Sequence, residues 1–258
     1  MLKKSNVGIL FSVTGALLGT VVMLLLFVMI FEVQVDAEIV RGAPIEAQIV
    51  SFILPALTNL SMVGGALWVV SAYGYATGKE WSFPVSITAS VLCILAGFFP
   101  ILPYVSSDLG FPPTSLIFVV NLLFFILLQI SVRPTERRAL FVSVLAGTAY
   151  ILAFINGVAS THYIIATGGA FFIALQPLNF AASVSWGVAA IATVMDKKWS
   201  SPLIIGAATT SVMGGIPLAL LTQMEMNRLS LFWPSPLMAL LTLAAAFLVK
   251  QKVIDNRT

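Results

Sequence analysis

The stretch 7-VGILFSVTGALLGTVVMLLLFVMIF-31 decides the fold class. It carries no charged side chain, and it is longer than the ~20 apolar residues that a helix needs to cross about 30 Å of hydrocarbon. The core of a cleaved signal peptide has only about 7 to 15 apolar residues. The stretch therefore predicts a retained first transmembrane helix, although Lys3 and Lys4 precede it as in a signal peptide.

The rest of the chain has the same character. Of the 258 residues, 59% are hydrophobic and only 9% are charged, and the mean hydropathy is +1.04. Soluble domains carry roughly a quarter of charged residues. The chain is therefore predicted to be an all-α integral membrane protein. Its 13 basic residues are scattered between apolar runs and form no basic face, so nucleic acid is not an expected partner.

Apolar runs between charge clusters or turn residues predict eight transmembrane helices. Their expected ranges are 7–31, 46–77, 83–104, 112–132, 139–160, 164–195, 202–222 and 233–249. The second and the sixth are the longest of the later runs, and each is expected to tilt, bend or project beyond the hydrocarbon.

The distribution of Lys and Arg predicts the orientation. With the N-terminus inside, the cytoplasmic segments hold eleven of the 13 basic residues, and the outer loops hold only Arg41 and Arg228. Adding or removing one span would place later basic clusters on the wrong side. We therefore expect a multi-pass protein of the cell membrane with both termini in the cytoplasm. Glu32, Asp36, Glu38 and Glu46 are expected in an acidic first outer loop.

Two similar phrases suggest an internal repeat. The phrase 78-GKEWSFP-84 returns as 196-DKKWSSP-202, and Trp68 and Trp186 each precede the Trp of the phrase by the same spacing. Upstream, "ILPALTNL" around Pro55 resembles "LQPLNF" around Pro177. We interpret the chain as two parallel four-helix repeats, 1–132 and 133–258, forming one membrane domain. The alternative is that two cytoplasmic turns acquired a basic residue, an interfacial Trp and a helix-opening Pro independently.

The sequence lacks several residue patterns that particular functions require, and this counts against some classes of membrane protein. No charged residue is placed in the middle of a predicted span, which disfavours a proton pump or an ion-coupled carrier. His162 is expected in a short outer loop, and Cys93 is alone, so neither a metal site nor a disulfide is predicted. No serine has an evident base. No catalytic residue, metal or other cofactor is therefore expected, and the chain is not predicted to be an enzyme.

Neutral polar and aromatic side chains remain as candidates for a ligand site in the outer half. The candidate ligand-binding residues are Asn59, Asn121, Asn156, Gln176, Asn179, Trp68 and Trp186, and the predicted helix kinks are Pro55, Pro100, Pro177 and Pro217. Paired helix interruptions in two halves are a pointer to a binding site. Asn59 and Asn179 are expected to face the protein interior, each just after a kink. The alternative for all the amides is hydrogen bonding between helices, and for the tryptophans core packing.

Three functions stay open at this point. The first is binding or movement of a neutral, apolar or lipid-like small molecule through an outer-half cavity. The second is a non-catalytic subunit or scaffold of a larger membrane complex, for example a respiratory one. An intramembrane enzyme is the third and least favoured. The expected partners are membrane lipids and either other membrane subunits or further copies of the chain. Separately, Gly15 and Gly19 form a small-xxx-small pattern that predicts close packing of the first helix.

Overall fold

The computed structural model describes residues 4–255, with side chains as far as Leu248, and this part of the chain is helical and contains no strand. We number the helices α1 Lys4–Val40, α2 Pro44–Ala76, α3 Ser82–Ser106, α4 Ser115–Val132, α5 Arg137–Thr167, α6 Ala170–Val194, α7 Ser200–Met226 and α8 Pro234–Asp255. The first seven are long and apolar enough to cross a membrane, and the apolar part of α8 described with side chains, Pro234–Leu248, is shorter.

Several helices are longer than the sequence predicts, α1 and α5 by the most. α1 continues to Val40, so Glu32, Asp36 and Glu38 lie on its last turns, and Glu46 lies in the first turn of α2, so none of the four is in an outer loop. α5 continues to Thr167, which places His162 inside a helix and corrects the loop prediction for that residue. In both cases a polar side chain marks the predicted end of a span, but a helix that projects beyond the hydrocarbon can carry polar residues without ending.

Six of the helices, α1 to α4, α6 and α7, contain a π-helical turn, an internal proline or an interruption at a proline. A π-helical turn, Leu18–Val22, joins Lys4–Leu17 to Met23–Val40 within α1, and a second one, Leu128–Val132, ends α4. Of the predicted kink positions, Pro55, Pro177 and Pro217 lie inside α2, α6 and α7. Pro100 instead lies between Ser82–Phe98 and Ile101–Ser106, the two helical segments of α3.

The chain divides into two compact units, Met1–Thr135 and Glu136–Thr258, each of which has its own core. In the first unit α1 packs closely on α2. A side chain on Gly15 would collide with the indole of Trp68, and Gly19 lies against the backbone of Gly65. The close packing predicted from the Gly15/Gly19 pattern is thus confirmed.

In the second unit, a buried cluster forms around Tyr163, Leu175 and Leu218, from α5, α6 and α7. Phe172 stacks on Tyr163 with ring centroids 4.8 Å apart. The consecutive helices of this unit therefore share one apolar core at the end where α5 is joined to α6.

The two repeated phrases form turns with the same hydrogen bonds. Lys79 N donates to Gly74 O at 2.8 Å and Lys197 N to Ala192 O at 3.0 Å, and a second bond follows from Ser82 N to Lys79 O and from Ser200 N to Lys197 O. The helix-ending position has positive φ in both turns, 69° at Gly78 and 51° at Asp196, as a Schellman cap requires. The turns at Gly42 and Asp108 have the same helix cap but not the second bond. Among these turns, the feature found only in the two repeated phrases is therefore the bonded segment between the cap and the next helix.

Burial follows the same spacing along three helices of each unit. When Trp68 is aligned with Trp186, buried positions of α2, α3 and α4 coincide with buried positions of α6, α7 and α8. The coincident pairs include Leu57 and Leu175, Ser61 and Asn179, Gly64 and Ala182, Cys93 and Ser211, Gly97 and Gly215, Asn121 and Ala239, and Phe124 and Thr242.

Replacement of Gly65 by Ala tests the close contact between α1 and α2. The added Cβ would lie 2.5 Å from Thr20 Cγ2 and 3.0 Å from the carbonyl carbon of Gly19. Overpacking of this kind costs about 1–3 kcal/mol, which exceeds the gain in helix propensity of up to ~1 kcal/mol. Gly65→Ala should therefore lower the apparent melting temperature of the protein in detergent.

The matched control is Gly147→Ala on α5, where an added Cβ meets no atom within 4 Å. Its melting temperature should equal or exceed that of the wild type. Equal stability of the two variants would show that the contact at Gly65 is not tight.

Candidate functional site

The predicted site residue that best retains a capacity for binding is Asn179 on α6. Its side chain is fully buried, and its Nδ2 donates to Leu175 O at 3.0 Å, with longer contacts to Gly214 O at 3.4 Å and Ser160 Oγ at 3.5 Å. Its Oδ1 has no hydrogen-bond partner. A buried acceptor without a donor costs roughly 1–3 kcal/mol, so Asn179 can gain energy from any donor that reaches it.

The position of this oxygen is defined by α7. A Cβ on Gly214 would lie 2.9 Å from Asn179 Oδ1, so the absence of a side chain at Gly214 makes room for the amide. Pro177 on α6 and Pro217 on α7 lie within one turn of these two residues. Since proline donates no backbone hydrogen bond, both helices are weakened on either side of the amide.

Asn156 and Gln176 lie close to Asn179. Asn156 on α5 is buried, its backbone oxygen accepts from Ser160 Oγ at 2.9 Å, and its Nδ2 donates to Phe232 O at 3.4 Å. Gln176 Nε2 donates to Thr161 Oγ1 at 2.7 Å. Ser160 thus contacts both the Asn156 backbone and the Asn179 amide, and Gln176 is bonded to Thr161, the residue after Ser160. We define the polar cluster as Asn156, Ser160, Gln176 and Asn179.

An aromatic group adjoins the polar cluster. Tyr163, one turn after Ser160 on α5, is buried against Leu175 and stacked on Phe172. The rings of His162 and Tyr163 are nearly perpendicular, with centroids 5.2 Å apart. Tyr163 and Phe172 thus lie on the same stretches of α5 and α6 as the polar cluster.

The two predicted tryptophans are core residues of their units. Trp68 is fully buried and donates from Nε1 to Asn121 Oδ1 at 3.2 Å, while Asn121 Nδ2 donates to Ile117 O at 2.9 Å. Trp186 is also fully buried and donates to Ser211 Oγ at 2.8 Å. Each indole N–H is satisfied within its own unit, which corresponds to the core-packing alternative.

Asn59 does not face the interior of its unit, and the prediction of its orientation is wrong. Its side chain is exposed on α2, whereas Thr58 and Ser61 beside it are buried. Asn59 and Asn179 are 120 residues apart, whereas Trp68 and Trp186 are 118 residues apart, so the two alignments differ by two residues. Two residues rotate a helix by about 200°, so the residue equivalent to Asn179 in the register of Trp68 is Ser61.

Sequence reasoning missed a buried polar cluster at the end of α1. Gln34 and Glu38 are each 1% exposed, and Glu38 is paired with Arg41 and accepts from Ser107 Oγ at 3.0 Å. Gln34 Nε2 donates to Pro100 O at 2.8 Å, at the interruption of α3, and its Oε1 has no partner. The signal was the spacing of Ile30, Gln34 and Glu38, four residues apart on one helix face.

We looked for a metal site among the other described residues and for similarity to known proteins. Among residues 4–248, no group of three or more His, Cys, Asp and Glu side chains lies together. No family model, curated protein or solved structure matches the chain.

The two asparagines on α2 and α6 should respond differently to replacement by leucine. Asn179→Leu removes the interhelical contacts to Gly214 and Ser160, each worth about 0.6 kcal/mol and at most ~1.7 kcal/mol in membranes. We therefore expect a lower melting temperature in detergent for Asn179→Leu. Asn59→Leu, on an exposed apolar face, should leave it unchanged or raise it. A larger loss at Asn59 than at Asn179 would contradict the orientations described.

Proposed function

We propose that this chain is a multi-pass protein of the cell membrane that binds, or moves across the bilayer, a neutral, apolar or lipid-like small molecule. The ligand would lie against the polar cluster of the second unit, between α6 and α7, with its polar group donating to Asn179. The proposal assigns no catalytic residue and requires no cofactor.

The observation that carries the proposal is the unpartnered Oδ1 of Asn179. A polar atom used only to hold helices together would be expected to have its partner in the fold, as Asn121 has in the first unit. A neutral donor suits this acceptor because the hydrogen-bond partners found for Asn179 are all neutral groups. The ligand would enter by separation of α6 and α7, which Pro177 and Pro217 weaken at this level.

The proposal includes eight spans, α8 being the last, arranged as two parallel four-helix repeats with both termini in the cytoplasm. Its support is the distribution of basic residues, the common geometry of the turns at 78–84 and 196–202, and the coincident burial along three helices of each unit. The repeats differ where binding is proposed, because Asn179 has Ser61 as its equivalent. The proposed site is therefore single.

A second candidate function is favoured by Asn59. An amide on an otherwise apolar helix face loses the hydrogen bonds of water without replacement when it faces lipid. Its neighbours on this face include Phe52, Met62 and Val63, which are also exposed. This face would suit contact with another membrane subunit or a further copy of the chain, in a complex in which the chain has no catalytic role.

Extraction in a mild detergent followed by native mass measurement tests the first function. The wild type should carry a bound lipid or small molecule at about one per chain. The Asn179→Ser variant should remain folded and lose most of the bound ligand. Serine, the residue at the equivalent position 61, is too short to place an acceptor where Oδ1 lies.

Asn59→Leu is the matched control and should retain the ligand. A wild type without a bound molecule, or an Asn179→Ser variant that binds as the wild type does, would count against the proposed site. A polypeptide that co-purifies with the wild type in fixed ratio and is lost in Asn59→Leu would establish the second function instead.

Cysteine labelling tests the eight-span topology. In a Cys93→Ala background, which removes the buried free cysteine, Ser106→Cys and Leu229→Cys should react with a membrane-impermeant reagent added from outside. Lys79→Cys and Lys197→Cys should react only after the membrane is opened, as should a tag fused after Thr258. A tag accessible from outside would remove α8 from the set of spans.

A further inference from the structure

The first unit contains an open cavity of about 420 Å³ at the end where the proposed orientation places the cytoplasm. It lies where α1 begins, α2 ends, α3 begins and α4 ends. Three basic residues line it, Lys4, Lys79 and Arg133, and Glu80 is the one acidic residue in the lining. The basic residues are far apart in the sequence, so the fold itself brings them together.

The three cations are available to a ligand. Among the described residues, Arg41 and Glu38 form an ion pair. None of the three cavity cations is paired with a carboxylate in this part of the chain. The guanidinium of Arg133 lies over the Phe83 ring, with its Cζ 5.6 Å from the ring centroid, a cation–π contact that is not an ion pair and leaves the charge of Arg133 unpaired with a carboxylate. Ser82, the first residue of α3, also lines the cavity and places the positive end of that helix dipole there.

The position of the cavity favours a lipid over a soluble ligand. Phe83 and Val132 give the wall an apolar part, and Trp81 and Tyr73, at the same end of the unit, are exposed as aromatic residues at a membrane interface are. Anionic lipids are concentrated in the cytoplasmic leaflet, and basic pockets between transmembrane helices on that side hold their headgroups.

We propose that this cavity binds the phosphate of an anionic phospholipid headgroup, with Lys79 and Arg133 as the principal contacts and Lys4 as a third. This site is distinct from the polar cluster around Asn179, and it does not depend on the function proposed for that cluster. It would fix the depth of the first unit in the membrane through one bound lipid.

The test is titration of the purified protein in detergent with phosphatidylglycerol and, separately, with zwitterionic phosphatidylcholine, read by native mass measurement. The wild type should bind phosphatidylglycerol at one per chain, and at least tenfold more tightly than phosphatidylcholine. Each cation near an anionic headgroup contributes about a fivefold gain in affinity, so the double variant Lys79→Gln/Arg133→Gln should bind roughly 25-fold more weakly.

Lys197→Gln is the matched control, because Lys197 occupies the same place as Lys79 in the second repeated phrase but does not line the cavity. It should bind phosphatidylglycerol within twofold of the wild type. Arg133→Lys, which keeps the charge, should retain most of the affinity. If the double variant does not fold, the exposed single change Lys79→Gln takes its place with an expected fivefold loss.

Three results would overturn the proposal. Equal binding of the two lipids would mean that the cations do not select the headgroup. An equal loss in Lys197→Gln and Lys79→Gln would mean that the lysines act as general surface charge. Competition by inorganic phosphate or pyrophosphate at micromolar concentration would assign the cavity to a soluble phosphate compound. Absence of competition up to millimolar concentration supports the lipid.

Discussion

Burial of one indole ring in each unit is the interaction on which the packing of the helices depends. Trp68 and Trp186 are fully buried, and lipid or a dry core offers nothing to an indole N–H, so each ring needs an acceptor from another helix. In the first unit that acceptor is Asn121 on α4, and Gly15 on α1 makes room for the ring. In the second unit the acceptor is Ser211 on α7. One large side chain thus fixes the distance and the rotation of the helices around it.

Hydropathy predicted most of the helices because it averages over a window longer than a helical turn. For the same reason it could not show which side of a helix faces its neighbours. The register of Trp68 and Trp186 held that information, whereas the match of Asn59 with Asn179, displaced from that register by two residues, pointed to the opposite face of α2 and misplaced Asn59. The ends of α1 and α5 were mispredicted for a different reason, because Glu32, Asp36, Glu38 and His162 were treated as loop residues when the helices carrying them continue. Of the site, the amides of α5 and α6 could be chosen from sequence, but the buried pair Gln34 and Glu38 needed the observation that α1 extends so far.

The buried amides Asn121 and Asn179 differ in how fully their hydrogen-bonding groups are satisfied. The amide of Asn121 has both ends satisfied and serves the core, whereas that of Asn179 is satisfied only at its nitrogen. An acceptor without a donor destabilises the fold, and here it lies between two helices that each contain a proline. Gln34 Oε1 in the first unit is also unpartnered. We assign the ligand to the second unit because there the open acceptor lies between two helices that each contain a proline close to it.

The order in which the helices of the first unit pack has a consequence for its synthesis. α1, α2 and α3 contact one another in sequence and are joined by short turns, so the Gly19–Gly65 contact can form as soon as α2 has entered the bilayer. The acceptor for Trp68 is on α4, the last helix of the unit to leave the ribosome. Until α4 has inserted, the indole of Trp68 lacks its Asn121 acceptor, so the packing around this ring is complete only when all four helices of the unit are in the membrane.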